Sequence, residues 1–101
     1  MESVKSIQNW KLDSWEVIDQ QSLVVQTSPS HFYLFILARR NNDLRFAEGI
    51  LVSSTAGRVQ VNFDTVATPR NPRFETPIAA MYKLKGREQV ASVKQQILGE
   101  E

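Results

Sequence analysis

Apolar residues recur at a spacing of two along much of this chain, and compact polar turns interrupt them every few residues. Trp15, Val17 and Ile18 form the first run, residues 23–26 the second and residues 31–37 the third. Residues 50–53, 58–61 and 64–66 continue the series. Alternation at period two is the pattern of strands with one face buried. Runs this close together leave room only for turns, so the middle of the chain is predicted to be an antiparallel meander. Residues 31–37 are apolar almost throughout, so this strand is expected at the centre of the sheet with both faces covered.

The connections carry turn chemistry. Asp19 and Ser22 are placed to bond neighbouring backbone amides, and Pro29 presets a turn dihedral between two strands. Residues 39–43 break the central run with side chains that tolerate left-handed backbone. After them, residues 43–48 fit a single helical turn with Asp43 as its cap and Leu44 with Ala47 or Phe46 turned inward. Gly57 supplies a positive φ for a hairpin at residues 55–57, and residues 62–64 read as a bulge or bend. Pro69, Pro72 and Pro77 predict that residues 68–77 are irregular, because proline cannot donate to a ladder.

The strand pattern returns over residues 78–84, where Ile78, Ala80, Tyr82 and Leu84 share a face, and Gly86 ends it. Residues 87–98 then read as a helix, with Val90, Val93 or Lys94, and Ile97 at helical spacing. In residues 1–13 the apolar positions Ile7, Trp10 and Leu12 fit neither a helix nor a strand alone. This N-terminal extension is expected to lie over the edge or open end of the sheet. The predicted class is mainly β, α+β at the margin: a twisted antiparallel meander or small open β-barrel with a C-terminal helix. At 101 residues the chain is expected to form one β-rich domain.

Composition removes several kinds of chemistry. With no cysteine there is no disulfide, thiolate nucleophile or Cys-ligated metal. His31 is the only histidine, and at the start of a strand it reads as a turn or hydrogen-bonding residue. No apolar stretch reaches the roughly 18 residues of a membrane-spanning helix. The polar first 11 residues lack the apolar segment of a signal peptide. The chain as written is therefore expected in the cytoplasm, or in the periplasm or envelope if a signal segment was removed.

A net charge of +1 makes no global case for nucleic acid, although all seven arginines lie at or beyond position 39. Arg39 and Arg40 share one loop and Arg70 and Arg73 another. If these loops meet, the four form a bidentate anion site; the plainer reading is solvated loop charge beside Asp43 and Glu75. Trp10 and Trp15 could stack on a ligand, but core or core-edge packing is the better account. The same holds for Phe32, Tyr33 and Phe35, whose alternation prevents a single aromatic platform. Asp13, Glu16 and Asp19 match no calcium loop, and Ser53, Ser54 and Thr55 lack a nucleophile elbow. No cofactor is indicated. These residues point away from an enzyme and towards a binding or accessory module with a protein or other partner. An anion or nucleic-acid binder using the arginine loops is the alternative.

One ordered series is suggestive: Trp15, Ile18-Asp19, the strand at Leu23-Val24-Val25, Tyr33-Leu34, Asp43-Leu44 with Ala47, Phe63-Asp64 with Val66, and Pro77-Ile78. It resembles a family of small bacterial proteins known only as a domain of unknown function, over residues 7–84. The resemblance implies that members are often exported or lipid-anchored. It also implies a cysteine in the loop at residues 40–42 and another just before Ile78 in relatives. Here those places hold Arg40, Asn41 or Asn42, and Glu75 or Thr76. If relatives bridge these cysteines, the two segments are neighbours in space.

Overall fold

The computed structural model describes residues 2–99, so the ends of the expected single unit, residues 1, 100 and 101, lie outside it. The strands are β1 (Glu2–Val4), β2 (Ser6–Ile7), β3 (Ser14–Val17), β4 (Ser22–Ser28) and β5 (His31–Leu37). After a 3₁₀ turn at Asn42–Phe46 come β6 (Leu51–Val52), β7 (Val59–Gln60), β8 (Thr65–Thr68), β9 (Asn71–Leu84) and the helix α1 (Arg87–Gly99). Seven strands form one antiparallel sheet in the order β3-β4-β5-β9-β8-β6, with β1 added along β9, while β2 and β7 pair with each other. The sheet curls into a half-barrel, so the mainly β class with a C-terminal helix holds.

Turn chemistry sets the first three strands. Asp19 Oδ1 accepts from the Gln21 amide at 2.8 Å and the Ser22 hydroxyl at 2.7 Å, folding β4 back on β3. Pro29 and Ser30 make the next turn, and β3, β4 and β5 form the expected meander. Register then sorts the side chains by face. Val17, Leu23, Phe35 and Met81 stand in one row across four strands, and Glu16, Val24, Leu34 and Tyr82 in the next. The first row faces a cluster that the sheet curls around, including Val25, Leu37, Val59, Val66 and Ile78. The second faces a cluster with Ile18, Phe32, Leu84 and Val93. The near-continuous apolar run of β5 is thus explained by a core on each side.

Each face has its own cover. On the inner face Trp10 stacks on Phe35 with ring centroids 6.0 Å apart, joined by Ile7, Leu44 and Ile50. On the outer face α1 docks through buried Val93, flanked by Val90 and Ile97 as the spacing predicts. Gly86, at φ +149°, makes the sharp link from β9 to the helix, a backbone conformation that L side chains rarely adopt. Gln89 Oε1 reaches back to accept from the Lys85 amide at 2.7 Å, tying down the same junction.

Three expectations need correction. Residues 68–77 are not irregular: Pro69 and Arg70 form a turn, and β9 runs from Asn71. Pro69 sits in that turn, and Pro77 is tolerated because of where its nitrogen points. The Pro77 carbonyl accepts from the Ala38 amide just past the end of β5, so the Pro77 nitrogen faces a place where the β5 ladder has stopped. Its neighbours Thr76 and Ile78 bond on the other edge, towards β8 and the turn before it. Secondly, the cap of the 3₁₀ turn is Asn41, whose side chain accepts from the Asp43 amide, and Phe46 points out to solvent. Thirdly, the N-terminal segment does more than lie over the sheet: β1 pairs with the end of β9 and β2 with β7, while Ile7, Trp10 and Leu12 pack on the inner cluster.

Nor does the meander continue past β5. The chain crosses to β6 at the far edge, and β9 returns between β5 and β8. A 14-residue strand makes this possible. Its first half pairs with β8, and its second half pairs with β5 on one edge and β1 on the other. A bulge opposite Ile36 and Leu37 lies between the two halves, and bulges bend strands.

The tight turn between β6 and β7 yields a first expected result. Ala56 and Gly57 are both at positive φ, 53° and 74°, between Thr55 and Arg58, which exchange two backbone hydrogen bonds. This is a two-residue turn that favours Asn-Gly, and an alanine there is strained. Ala56→Asn should raise the unfolding free energy by about 0.5–1 kcal/mol, seen as a higher denaturant midpoint at unchanged slope. A midpoint at or below that of the parent chain would contradict it.

Candidate functional site

The residues singled out for chemistry divide into those the fold consumes and those it leaves at the surface. His31 is exposed, and its Nδ1 shares a 2.5 Å hydrogen bond with the Ser28 hydroxyl across the β4–β5 turn. Ser53 is also committed: its hydroxyl donates to Asp64 Oδ1 at 2.8 Å and accepts from the Thr65 amide at 2.9 Å. Asp64 is buried, and its other oxygen accepts from the Gln60 amide at 2.7 Å. The arrangement resembles a hydroxyl–carboxylate pair, yet every contact goes to the backbone or side chains that pin the turn between β7 and β8.

Asp13, Glu16 and Asp19 do not converge. Asp19 holds its own turn, and Glu16 pairs with Lys94 of α1. Among the described residues no group of three or more His, Asp or Glu side chains could hold a metal ion. Both tryptophans are half-buried against the inner core, as expected of core-edge residues. Among the described residues, no helix is long and apolar enough to cross a membrane.

The segments around Asn41 and Thr76 meet through the Asn41 side chain. Asn41 is 1% exposed; its Nδ2 donates to Thr76 Oγ1 at 3.3 Å, and its Oδ1 accepts from the Asp43 amide at 3.0 Å. Its backbone amide donates to the Gln20 carbonyl at 2.7 Å. One residue therefore ties three segments together: its side chain joins the 3₁₀ turn to β9, and its backbone amide reaches the β3–β4 turn. The resemblance made neighbours of the segments around Asn41 and Thr76, and they are neighbours here. A side-chain oxygen two residues before a backbone amide is a signal sequence can show, but Asn41-Asn42-Asp43 offers three candidates for it. Asn41→Ala should cost about 1–3 kcal/mol, because it leaves Thr76 and the Asp43 amide without a buried partner. Chemical denaturation that places this variant within about 0.5 kcal/mol of the parent would remove Asn41 from that role.

The arginines themselves are exposed. Arg40 donates from Nε to Gln20 Oε1 at 2.9 Å and lines a cleft with Asp19 and Arg45. Arg70 lines a different cleft, of about 290 Å³, between the 3₁₀ turn and the β8–β9 turn. Arg39 and Arg73 stand on the same two segments, in solvent. Arg40 thus shares its cleft with Arg45, not with Arg70. A third cleft, about 270 Å³, runs between α1 and β3, with Phe32 in its floor and Arg87 stacked over that ring at 5.5 Å. Its charged groups include the Glu16–Lys94 pair, which already satisfies both partners.

No curated protein and no solved structure matches this chain. The model of a family of unknown function, DUF6491, matches residues 1–100, and the chain belongs to that family.

Proposed function

We propose that this protein is a non-enzymatic binding or accessory module that works through open clefts on its surface. The observation carrying this reading is how the fold spends its polar groups. The buried carboxylate Asp64 and the hydroxyl of Ser53 hold backbone amides, and His31 holds its own hairpin. Both faces of the sheet are packed, one by Trp10 and its neighbours and the other by α1. Small-molecule sites are concave and carry a few unsatisfied polar groups, and here such places are at the surface. A panel of ester, phosphoester and peptide substrates tests the reading. The expected outcome is no turnover that Ser28→Ala, His31→Ala or Ser53→Ala removes. Turnover lost in any one of the three would overturn it.

A second reading, in which Arg39, Arg40, Arg70 and Arg73 bind an anion, draws on the contact between Asn41 and Thr76; because Arg40 and Arg70 line separate clefts, the anion itself would have to draw them together. Phosphate titration should then move amide signals at all four positions. Binding to generic RNA or DNA, if it shares this surface, should weaken steeply as salt rises. Unmoved amides at these arginines would discard the anion site.

A further inference from the structure

The cleft beside Arg70 combines unpaired charges of both signs with an unpaired buried hydroxyl in its wall. Its walls come from two segments: Asp43, Phe46 and Glu48 on one side, and Thr68, Pro69 and Arg70 on the other. Acids therefore stand on one wall and a guanidinium on the opposite one. Among the described residues no ion pair or side-chain hydrogen bond joins Arg70 to Asp43 or Glu48, whereas in the cleft at α1 Glu16 is paired with Lys94 and Arg87 lies over the Phe32 ring. Thr68 is 1% exposed, and its Oγ1 has no hydrogen-bond partner. Thr68 stands in the wall of the cleft, and leaving its buried hydroxyl unpaired costs about 1–3 kcal/mol. Phe46 is 72% exposed at the rim, a large apolar surface that the fold itself does not use. Pro69 adds a second apolar wall.

Taken together, these features describe a ligand that carries both charges and an apolar part. A lone anion would meet Asp43 and Glu48, and a lone cation would meet Arg70; either would face like charge in a small space. The volume of about 290 Å³ is near the roughly 300 Å³ at which small-molecule sites begin, so the ligand is small. We propose that the cleft between the 3₁₀ turn and the β8–β9 turn binds a small zwitterion, an α-amino acid with an apolar side chain. Its ammonium group faces Asp43 and Glu48, its carboxylate faces Arg70, and its side chain lies against Phe46 and Pro69. This rests on the binding-module reading and gives that reading a ligand class.

L-Leucine is the probe, and amide shifts of the full 101-residue chain are the readout. Saturable shifts are expected at Phe46, Ala47, Thr68 and Arg70. 3-Methylbutylamine and 4-methylpentanoate, which each lack one of leucine's charges, should bind roughly tenfold more weakly or worse, one ion pair's worth of affinity. Arg70→Gln and Asp43→Asn change partly or fully exposed side chains and should weaken leucine binding without lowering the melting temperature. The proposal is overturned if leucine moves none of these amides at millimolar concentration. It is equally overturned if either singly charged analogue binds as tightly, or if both variants bind leucine like the parent. Shifts confined to another face would sink this cleft but leave the binding-module reading intact. Substrate turnover lost on Ser28→Ala would do the reverse.

Discussion

Phe35→Ala is expected to lower the unfolding free energy by about 3–5 kcal/mol, the cost of emptying a fully buried aromatic site. Phe35 is 0% exposed, lies in the row with Leu23 and Met81, and carries Trp10 stacked on its ring. The cavity would lie where the curled sheet, the N-terminal segment and the 3₁₀ turn converge, so few neighbours could collapse into it. Leu34→Ala, one residue away on the other face, should cost about 2–5 kcal/mol through the separate cluster beneath α1. Ile36 is only half-buried on that same side, and Ile36→Ala should cost less than Leu34→Ala. Denaturant unfolding measures all three. A Phe35→Ala or Leu34→Ala variant within about 0.5 kcal/mol of the parent would mean that face of β5 is not a core. With typical domains stable by about 5–15 kcal/mol, the Phe35 variant is expected near the limit of folding.

Ending the chain at Gly86 is expected to be the second severe change. It removes Val90, Val93 and Ile97 and uncovers Ile18, Val24, Phe32, Leu34 and Leu84. Burying one such side chain contributes about 1.5–3 kcal/mol, and several lose their cover at once. The melting temperature should fall by more than roughly 10 °C, or the shortened chain should aggregate through the exposed patch. Val93→Asp provides the same test in a full-length chain: a buried, unpaired carboxylate under α1 should destabilise in the same direction. A shortened chain with the parent's melting temperature would show that α1 adds nothing to the sheet. By contrast, breaking the exposed Glu16–Lys94 pair should change stability by no more than a few tenths of a kcal/mol.

Local chemistry was legible without coordinates. The period-two runs located β3, β4 and β5, Asp19 and Pro29 marked their turns, and Gly57 marked the hairpin. The apolar positions of α1 identified the face that docks. These features are written in neighbouring residues, because strand and helix periodicity and turn dihedrals depend on short-range geometry.

What the sequence did not determine lies at longer range. Three prolines argued against a strand at residues 68–77, and locally that inference is sound. It fails because Pro77 turns its nitrogen towards a spot where β5 has ended, which depends on a partner some 40 residues away along the chain. The insertion of β9 between β5 and β8 is likewise a choice among pairings that period two leaves equally open. Asn41 looked like one loop residue among several until burial and Thr76 gave it partners. The four arginines formed a cluster in sequence but divide between clefts in space, because side-chain direction at a turn follows from packing. Sequence alone determined the strands β3, β4 and β5, the turns between them and the C-terminal helix. Tertiary structure decided which strands pair, which polar groups are consumed, and which cleft keeps opposite charges and a buried hydroxyl free.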